Sequence, residues 1–312
     1  MEKIETVLIC GMGAIGSVYA NAIANYNNDT LSVLVDEARL KKYKNNPPVF
    51  NGKAIDFNYV TPDNTSLKAD LILIATKNNT MCDVLKNIEN FVKQDTIILS
   101  LLNGLQSEDM LSEKFGADKI LYSYYIGHTS TRSGREVTHD GVYTTVFGDK
   151  DNTDYSKNVI KVKNFFDKAG IPYKIPTDMD YSRWWKFMFN VGYNQASSVL
   201  NAKYKYFQNC KKVNELALKL MEEVVSVAVK EGVKHTEKLI PEALNALDIM
   251  IPNASTSMLQ DIEADRLTEV DAFAGYVVTL GEKHNVKTPY NSIVYDIIKA
   301  LEEKNSYKKK LQ

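Results

Sequence analysis

Short apolar runs rich in β-branched residues alternate with helix-compatible stretches through the first half of the chain: IETVLIC, LSVLV, ADLILIAT, TIILSLL and KILYSY. Runs such as Leu71 to Ala75 and Ile97 to Leu102 are continuously apolar, which suits strands covered on both faces, because a half-wet strand alternates. The pattern predicts parallel strands joined by crossover helices. After Gly127, EVTHDGVYTTVFGD reads as a hairpin-like pair turning at Asp140-Gly141 and extending the sheet at one edge, followed by one more helix and the short strand IPYKI. From about Asp178 the period changes and amphipathic helices take over: SRWWKFMFNVGYNQASSVL, VNELALKLMEEVVSVAVKEG, a run near DRLTEVDAFAGYVVTLGEKH, and YNSIVYDIIKALEEK. Gly232 and Asn285 stand where helices should end. The expected architecture is α/β: a doubly wound parallel sheet over residues 1–177 and an all-α domain over 178–312.

Composition narrows the partners. The 312 residues are enough for two domains with separate cores, and 44% hydrophobic with 25% charged residues describes an ordinary globular chain. Lys plus Arg number 38 against 39 Asp plus Glu, so no global field recruits nucleic acid or an anionic membrane, and a small molecule is the expected partner. Cys10, Cys82 and Cys210 are far apart and lack ligand spacing, as do His128, His139, His235 and His284, so neither disulfides nor a metal is expected. The start, MEKIETVLICGMG, has no signal-peptide or membrane-span pattern, and a cytoplasmic protein is expected. The apolar face around Leu216, Leu220 and Val224 is read as domain core or a homodimer interface.

Gly11, Gly13 and Gly16, in GMGAIG, follow the strand VLIC and open a helix. Gly11 permits the tight turn, Gly13 lets the backbone approach a pyrophosphate, and Gly16 allows close packing of helix on strand. The helix N-terminus presents free N–H groups to the phosphates. The loop Gly11, Met12, Gly13, Ala14, Ile15, Gly16 therefore predicts a Rossmann-type dinucleotide site. Asp36 closes the second strand, where a carboxylate accepts hydrogen bonds from the adenosine ribose and repels a 2′-phosphate, which leans towards NADH. Arg39, Lys41 and Lys42 follow and could offset that repulsion; equally, Asp36 could be a helix cap and the basic cluster an exposed helix face.

Lys186, Asn190 and Asn194 recur at intervals of four within WWKFMFNVGYN, forming a polar stripe that drifts slowly around a helix embedded in aromatic residues. One reading is a solvated face; the other is a pocket lining, since burying unpartnered polar groups is costly. Reduction of a ketone places negative charge on the carbonyl oxygen and needs a proton donor or cation there, which Lys186 can supply, while amides can hold a carboxylate and a hydroxyl. Ser255 or Ser257 could be an N-cap, and Thr268, Glu269 and Asp271 could start a helix. Asn103-Gly104 is a turn after a strand, and Lys77 follows another strand.

Taken in order, GMGAIG, TKNNT around Lys77, LLNGLQSED around Asn103, WWKFMFNVGYN and STSMLQDIEADRLTEVD resemble the ketopantoate reductase family across nearly the whole chain. The resemblance implies reduction of 2-dehydropantoate to (R)-pantoate, a step towards pantothenate and coenzyme A, usually with NADPH. It implies Lys186 as general acid, Asn190, Asn194 and Ser257 as substrate ligands, and Asn103 between cofactor and substrate. It further implies that Glu269 positions Lys186 and contacts the nicotinamide-side ribose, and that Lys77 lies by the cofactor. Two positions depart from the family: Asp36 stands where an arginine often holds the 2′-phosphate, and Ala274-Gly275 where Asn-Gly is common. These departures keep alive a D-2-hydroxy acid dehydrogenase acting on branched or aromatic 2-oxo acids with NADH. The same residues also admit a 3-hydroxy acid dehydrogenase or a dinucleotide-binding protein without catalysis.

Overall fold

The computed structural model describes residues 3–127 and 130–311, without the side chains of 130, 131 and 311. The chain divides into two units, Met1–Asn103 with Ser107–Met179, and Gly104–Gln106 with Asp180–Gln312. The first runs β1 (Val7–Cys10), α1 (Ala14–Asn27), β2 (Leu31–Leu34), α2 (Glu37–Asn45), β3 (Val49–Phe50), β4 (Lys53–Ala54), β5 (Tyr59–Val60), β6 (Leu71–Ile74), α3 (Met81–Asn87), β7 (Ile97–Ser100), α4 (Gln106–Phe115), β8 (Ile120–Gly127), β9 (Ser130–Ser133), β10 (Glu136–His139), β11 (Tyr143–Gly148), α5 (Lys157–Ala169) and β12 (Tyr173–Lys174).

Every residue of β1, β2, β6 and β7 is buried, as their largely apolar runs require, with Ser32 and Ser100 buried among them. Alternate side chains serve opposite faces: Ile9, Leu73 and Leu99 pack with Tyr19 and Phe166 on one side, and Leu8, Ile72 and Ile98 with Phe91 and Leu111 on the other. The main sheet has the order β12-β11-β8-β7-β6-β1-β2-β5. Strands β8 to β5 of that order are parallel, whereas β11 is antiparallel to β8. The chain leaves β1 towards β2 and later returns to β6 on the other side of β1, so the winding reverses between β1 and β6. Ligands of open α/β sheets gather outside the carboxyl ends of the strands at such a switch point.

One expectation is corrected. Asp140-Gly141 does make a turn, with Gly141 at φ 84 and Asp140 Oδ1 accepting the Val142 N–H at 3.0 Å, but it does not close a hairpin. Strand β11 joins the main sheet, while β10 enters a second sheet of order β4-β3-β10-β9. The partner edge comes from the β3–β4 hairpin, whose turn Asn51-Gly52 has φ 46 and 79. The Asn51 amide then bonds the His139 backbone twice, donating to its carbonyl at 3.1 Å and accepting its N–H at 2.9 Å.

The second unit is helical: α6 (Met179–Phe189), a π-helical turn (Asn190–Asn194), α7 (Gln195–Leu200), α8 (Tyr204–Asn209), α9 (Lys211–Lys230), α10 (Leu239–Asp248), α11 (Ser257–Glu263), a 3₁₀ turn (Val270–Ala272), α12 (Ala274–His284) and α13 (Pro289–Leu311). Gly232 and Asn285 occupy left-handed positions, φ 82 and 55, at the ends of α9 and α12. Leu220 and Val224 are fully buried core residues with Leu216 packed against them. The run DRLTEVDAFAGYVVTLGEKH is not one helix. Asp265 turns left-handed at φ 51, and the Thr268 N–H and hydroxyl both donate to Glu302 of α13, at 2.7 and 2.6 Å, so regular α-helix resumes only at Ala274. Among the described residues, no helix is long and apolar enough to cross a membrane.

The entry to β1 is held by Asp70, whose carboxylate accepts the N–H groups of Glu5 and Thr6 at 2.8 and 3.0 Å and meets the Lys93 ammonium at 2.5 Å. Burial disfavours this charge, but Lys93 and the two N–H groups outweigh it and hold the carboxyl below its usual range. Replacing Asp70 by Asn is expected to lower the unfolding free energy by about 1–3 kcal/mol at neutral pH. The wild-type advantage should be complete above the unfolded carboxyl value of about 4 and vanish as pH falls through the lower folded value, measured by urea unfolding from about pH 7 to about pH 2.

Candidate functional site

In the first unit the glycine loop has the geometry its spacing implies. Gly11 sits at φ 104, where a Cβ would lie 2.6 Å from the Ala75 carbonyl oxygen. At Gly16 a Cβ would stand 1.8 Å from the Gly11 carbonyl oxygen, so only glycine lets α1 approach the end of β1. A Cβ on Gly13 would meet only the Ala75 oxygen, at 3.9 Å, leaving that face open to a close ligand. Gly13 is also the N-cap of α1 and offers no side-chain acceptor to the first-turn N–H groups, and no acidic residue stands in that turn. These free donors with their positive dipole end fit a pyrophosphate. The Thr76 methyl lies against Gly11, and its hydroxyl is buried with no hydrogen-bond partner among the described residues.

Because β7, β6, β1 and β2 are parallel neighbours, the residues just beyond their carboxyl ends lie along one edge of the sheet: Asn103, Lys77, the glycine loop and Asp36. Asn103 is half-buried, and its carbonyl accepts the Asn78 amide at 2.8 Å. Lys77 is exposed and leads into the 3₁₀ turn Asn78–Thr80. Asp36 caps α2, accepting the Arg39 N–H at 2.7 Å, and pairs with the Arg39 guanidinium at 3.2 Å. Arg39, Lys41 and Lys42 are all exposed. Sequence reasoning missed Arg132, on β9, whose guanidinium donates to the Met12 carbonyl and, at 3.3 Å, to the Tyr43 hydroxyl. It holds the outward carbonyl of the glycine loop and adds a cation beside it.

In the second unit, α6, the π turn and α7 run on without a break from Met179 to Leu200. On a regular α-helix four residues overshoot a full turn by about 40°, which is the drift the spacing predicts. A turn closing at i+5 takes more than four residues, so the step from Asn190 to Asn194 falls short and offsets that drift. Lys186 is half-buried, with Trp184, Phe187 and Met188 buried around it on the helix. It makes no hydrogen bond or ion pair to any described residue, and removal from water pushes its ammonium pKa down to about 8. Asn190 and Asn194 are each only 5% exposed. The Asn194 carbonyl accepts the Ser198 hydroxyl at 2.9 Å, while its side-chain amide has no partner among the described residues. The two amides therefore do not lie on a solvated face of the helix.

Glu269 is half-buried and precedes the 3₁₀ turn Val270–Ala272. It does not pair with Lys186 here, for no carboxylate contributes to the lysine's shift. The cap of α11 is neither Ser255 nor Ser257 but Thr256, whose hydroxyl accepts the Leu259 N–H at 3.2 Å and bonds Ser197 at 3.0 Å. Ser257 begins the helix and is exposed. His128 lies outside the described residues, among which no three His, Cys, Asp or Glu side chains group to hold a metal ion.

Two models of one protein family match this chain: ketopantoate reductase PanE/ApbA over residues 7–152, and ketopantoate reductase PanE/ApbA C terminal over 178–302. The 2-dehydropantoate 2-reductase of Pyrococcus horikoshii is 25% identical over 311 residues, covering 95% of this chain and 97% of that protein. The ternary structure of D-mandelate dehydrogenase with NADH and anilino(oxo)acetate matches with a TM-score of 0.85 at 22% identity, covering 96% and 99% of the two chains. That of 2-dehydropantoate 2-reductase from Methylococcus capsulatus matches with a TM-score of 0.81 at 23% identity, covering 96% and 98%. The two structural likenesses concern the fold.

The glycine geometry predicts that Gly16→Ala, whose new Cβ must push α1 from the end of β1, weakens reduced-dinucleotide binding by on the order of 10-fold or more. Fluorescence titration with NADH and NADPH measures this, with circular dichroism to show that the helices persist; undiminished affinity would remove the loop from the binding site.

Proposed function

Because the chain belongs to the ketopantoate reductase family of oxidoreductases acting on a CH–OH group, we propose that it reduces ketopantoate to (R)-pantoate, with Lys186 as general acid. The observation that carries this reading is the half-buried, unpaired Lys186 ammonium, of pKa about 8, on the same helix as two buried amides. A nicotinamide dinucleotide, when bound in its reduced form, supplies hydride to C2 of the 2-oxo acid. Lys186 donates its proton to the carbonyl oxygen as charge develops there, and its ammonium stabilises that charge in surroundings poor in water. Asn190 and Asn194 donate to the substrate carboxylate and hydroxyl, fixing which face of the carbonyl is presented. Ser257 adds a hydroxyl to that grip, and Glu269 orients Lys186 in the substrate complex and contacts the ribose.

In the first unit, the loop Gly11 to Gly16 holds the pyrophosphate, with Lys77 and Asn103 beside the nicotinamide half. Asp36 accepts hydrogen bonds from the adenosine ribose, which favours NADH over NADPH by repulsion of a 2′-phosphate. A second reading, a D-2-hydroxy acid dehydrogenase acting on branched or aromatic 2-oxo acids, draws on the same carboxylate and on the likeness to the D-mandelate dehydrogenase fold. Initial rates with ketopantoate and a panel of branched and aromatic 2-oxo acids, each with NADH and NADPH, separate the two. Turnover selective for ketopantoate supports the first reading, selectivity for another 2-oxo acid replaces it with the second, and faster turnover with NADPH refutes the role given to Asp36.

Lys186→Ala is expected to lower kcat by about 10²–10⁴-fold while leaving dinucleotide affinity unchanged, measured by steady-state rates and fluorescence titration. For the unsubstituted protein, kcat/KM in the reducing direction should hold steady at neutral pH and fall as pH rises through about 8, where the ammonium loses its proton. A flat profile through that range would remove Lys186 from the role of acid.

A further inference from the structure

The π turn that carries Asn190 and Asn194 is tied to the rest of the helical unit through one side chain. Gln195 is fully buried. Its backbone N–H bonds the Gly192 carbonyl, leaving the Val191 carbonyl, its partner in a regular α-helix, to another donor. The Gln195 side chain takes that place, Nε2 donating to the Val191 carbonyl at 2.9 Å. The same nitrogen donates to Asn291 Oδ1 at 3.2 Å, and Oε1 accepts the N–H of Ala274, the first residue of α12, at 2.9 Å.

Asn291 is fully buried as well and is bound on every side. Its amide nitrogen donates to the Leu220 carbonyl at 3.2 Å and to Glu223 at 2.7 Å, and the Glu223 carboxylate also accepts the N–H groups of Tyr290 and Asn291 at 2.8 and 2.9 Å. A connected network in a poorly polarisable interior has one low-energy arrangement, because each displaced donor or acceptor would be left unpaired. Gly192 adds a steric constraint: a Cβ there would lie 2.3 Å from the Met221 side chain and 3.2 Å from the Ala217 carbonyl oxygen, so the π turn lies close against α9.

We infer that Gln195 is a positioning residue: it maintains the π geometry of Asn190–Asn194 and couples it to the start of α12, so that both amides face the substrate that Lys186 protonates. The inference rests on the reductase reading for its kinetic consequence but not for its structural one. Neither reactant touches Gln195; it acts through the Asn194 and Asn190 amides.

The test is Gln195→Met, which keeps the length and removes all three side-chain hydrogen bonds, with Gln195→Glu as a second variant that keeps an acceptor for the Ala274 N–H and loses the amide donors. The expected result for Gln195→Met is a loss in kcat/KM on the order of 100-fold, with unchanged dinucleotide affinity. A role confined to packing would lower Tm as well, so the deciding measurement is a double-mutant cycle with Asn194→Ala. Because Gln195 acts through both amides, the cycle is completed with Asn190→Ala: adding Gln195→Met to the Asn190→Ala/Asn194→Ala variant should slow it no further, whereas a further loss equal to that of Gln195→Met alone, or unchanged kcat/KM with a lowered Tm, overturns the inference. Should Gln195→Met not fold, Gln195→Glu replaces it in the same cycle, and failure of both to fold makes Gln195 a folding residue and overturns the proposal. Absence of turnover by the unsubstituted protein with every 2-oxo acid refutes the reductase reading instead. The positioning claim is then decided by the crystal structure of the variant, where reversion of residues 190–194 to α-helix supports it and a retained π turn overturns it.

Discussion

Desolvation of the Lys186 ammonium is the constraint around which the helical unit is organised. An ammonium with no counter-charge in apolar surroundings is costly, and the molecule meets that cost by leaving part of the side chain accessible and letting the pKa fall to about 8. With no carboxylate against it, the group gives up its proton more readily than a lysine in water. The rest of the unit supplies rigidity where this group has none: aromatic packing on the flanks of α6, a π turn pressed against α9, and the buried chain of hydrogen bonds through Gln195, Asn291 and Glu223.

The first unit meets a different constraint, the approach of backbone to backbone at the carboxyl end of β1. Without side chains at Gly11 and Gly16, α1 starts close against the strand and its free N–H groups are left facing outward from Gly13. The parallel order β7-β6-β1-β2 then places Asn103, Lys77 and Asp36 along the same edge without any of them touching the glycine loop in sequence. The small second sheet contributes too, since it carries Arg132 to the Met12 carbonyl and so secures the loop from its far side.

Asp36 carries a structural role without exhausting its side chain. One carboxylate oxygen caps α2 and the other pairs with Arg39, yet more than half of the side chain remains exposed, at 55%. A carboxylate has about four acceptor positions, so these bonds leave capacity for a ribose hydroxyl. The observed cap therefore does not compete with the proposed contact to a ribose.

The buried strands were legible in the sequence because a strand covered on both faces must be apolar throughout, and the glycine loop because only Gly tolerates its spacing of turn and contact. Lys186, Asn190 and Asn194 stood out because cations and amides rarely interrupt so aromatic a helix. What remained hidden depends on partners distant in sequence. The chain from Glu136 to Gly148 has the alternation and turn of a hairpin, and only the edges offered by β3 and by β8 send its two strands to different sheets. The helix pattern around Glu269 is locally sound, but Glu302, more than thirty residues on, captures the Thr268 N–H and hydroxyl. The sequence does not single out Gln195, and the π turn around Asn190–Asn194 leaves no mark on a pattern read at intervals of three and four. Sequence by itself determined the two element classes, the dinucleotide loop and the residue types available for chemistry, since these follow from local sterics and burial. Tertiary structure alone decided which edges paired, which hydroxyl capped α11, and where the helix widens into the π turn, because each depends on partners that the chain brings together only on folding.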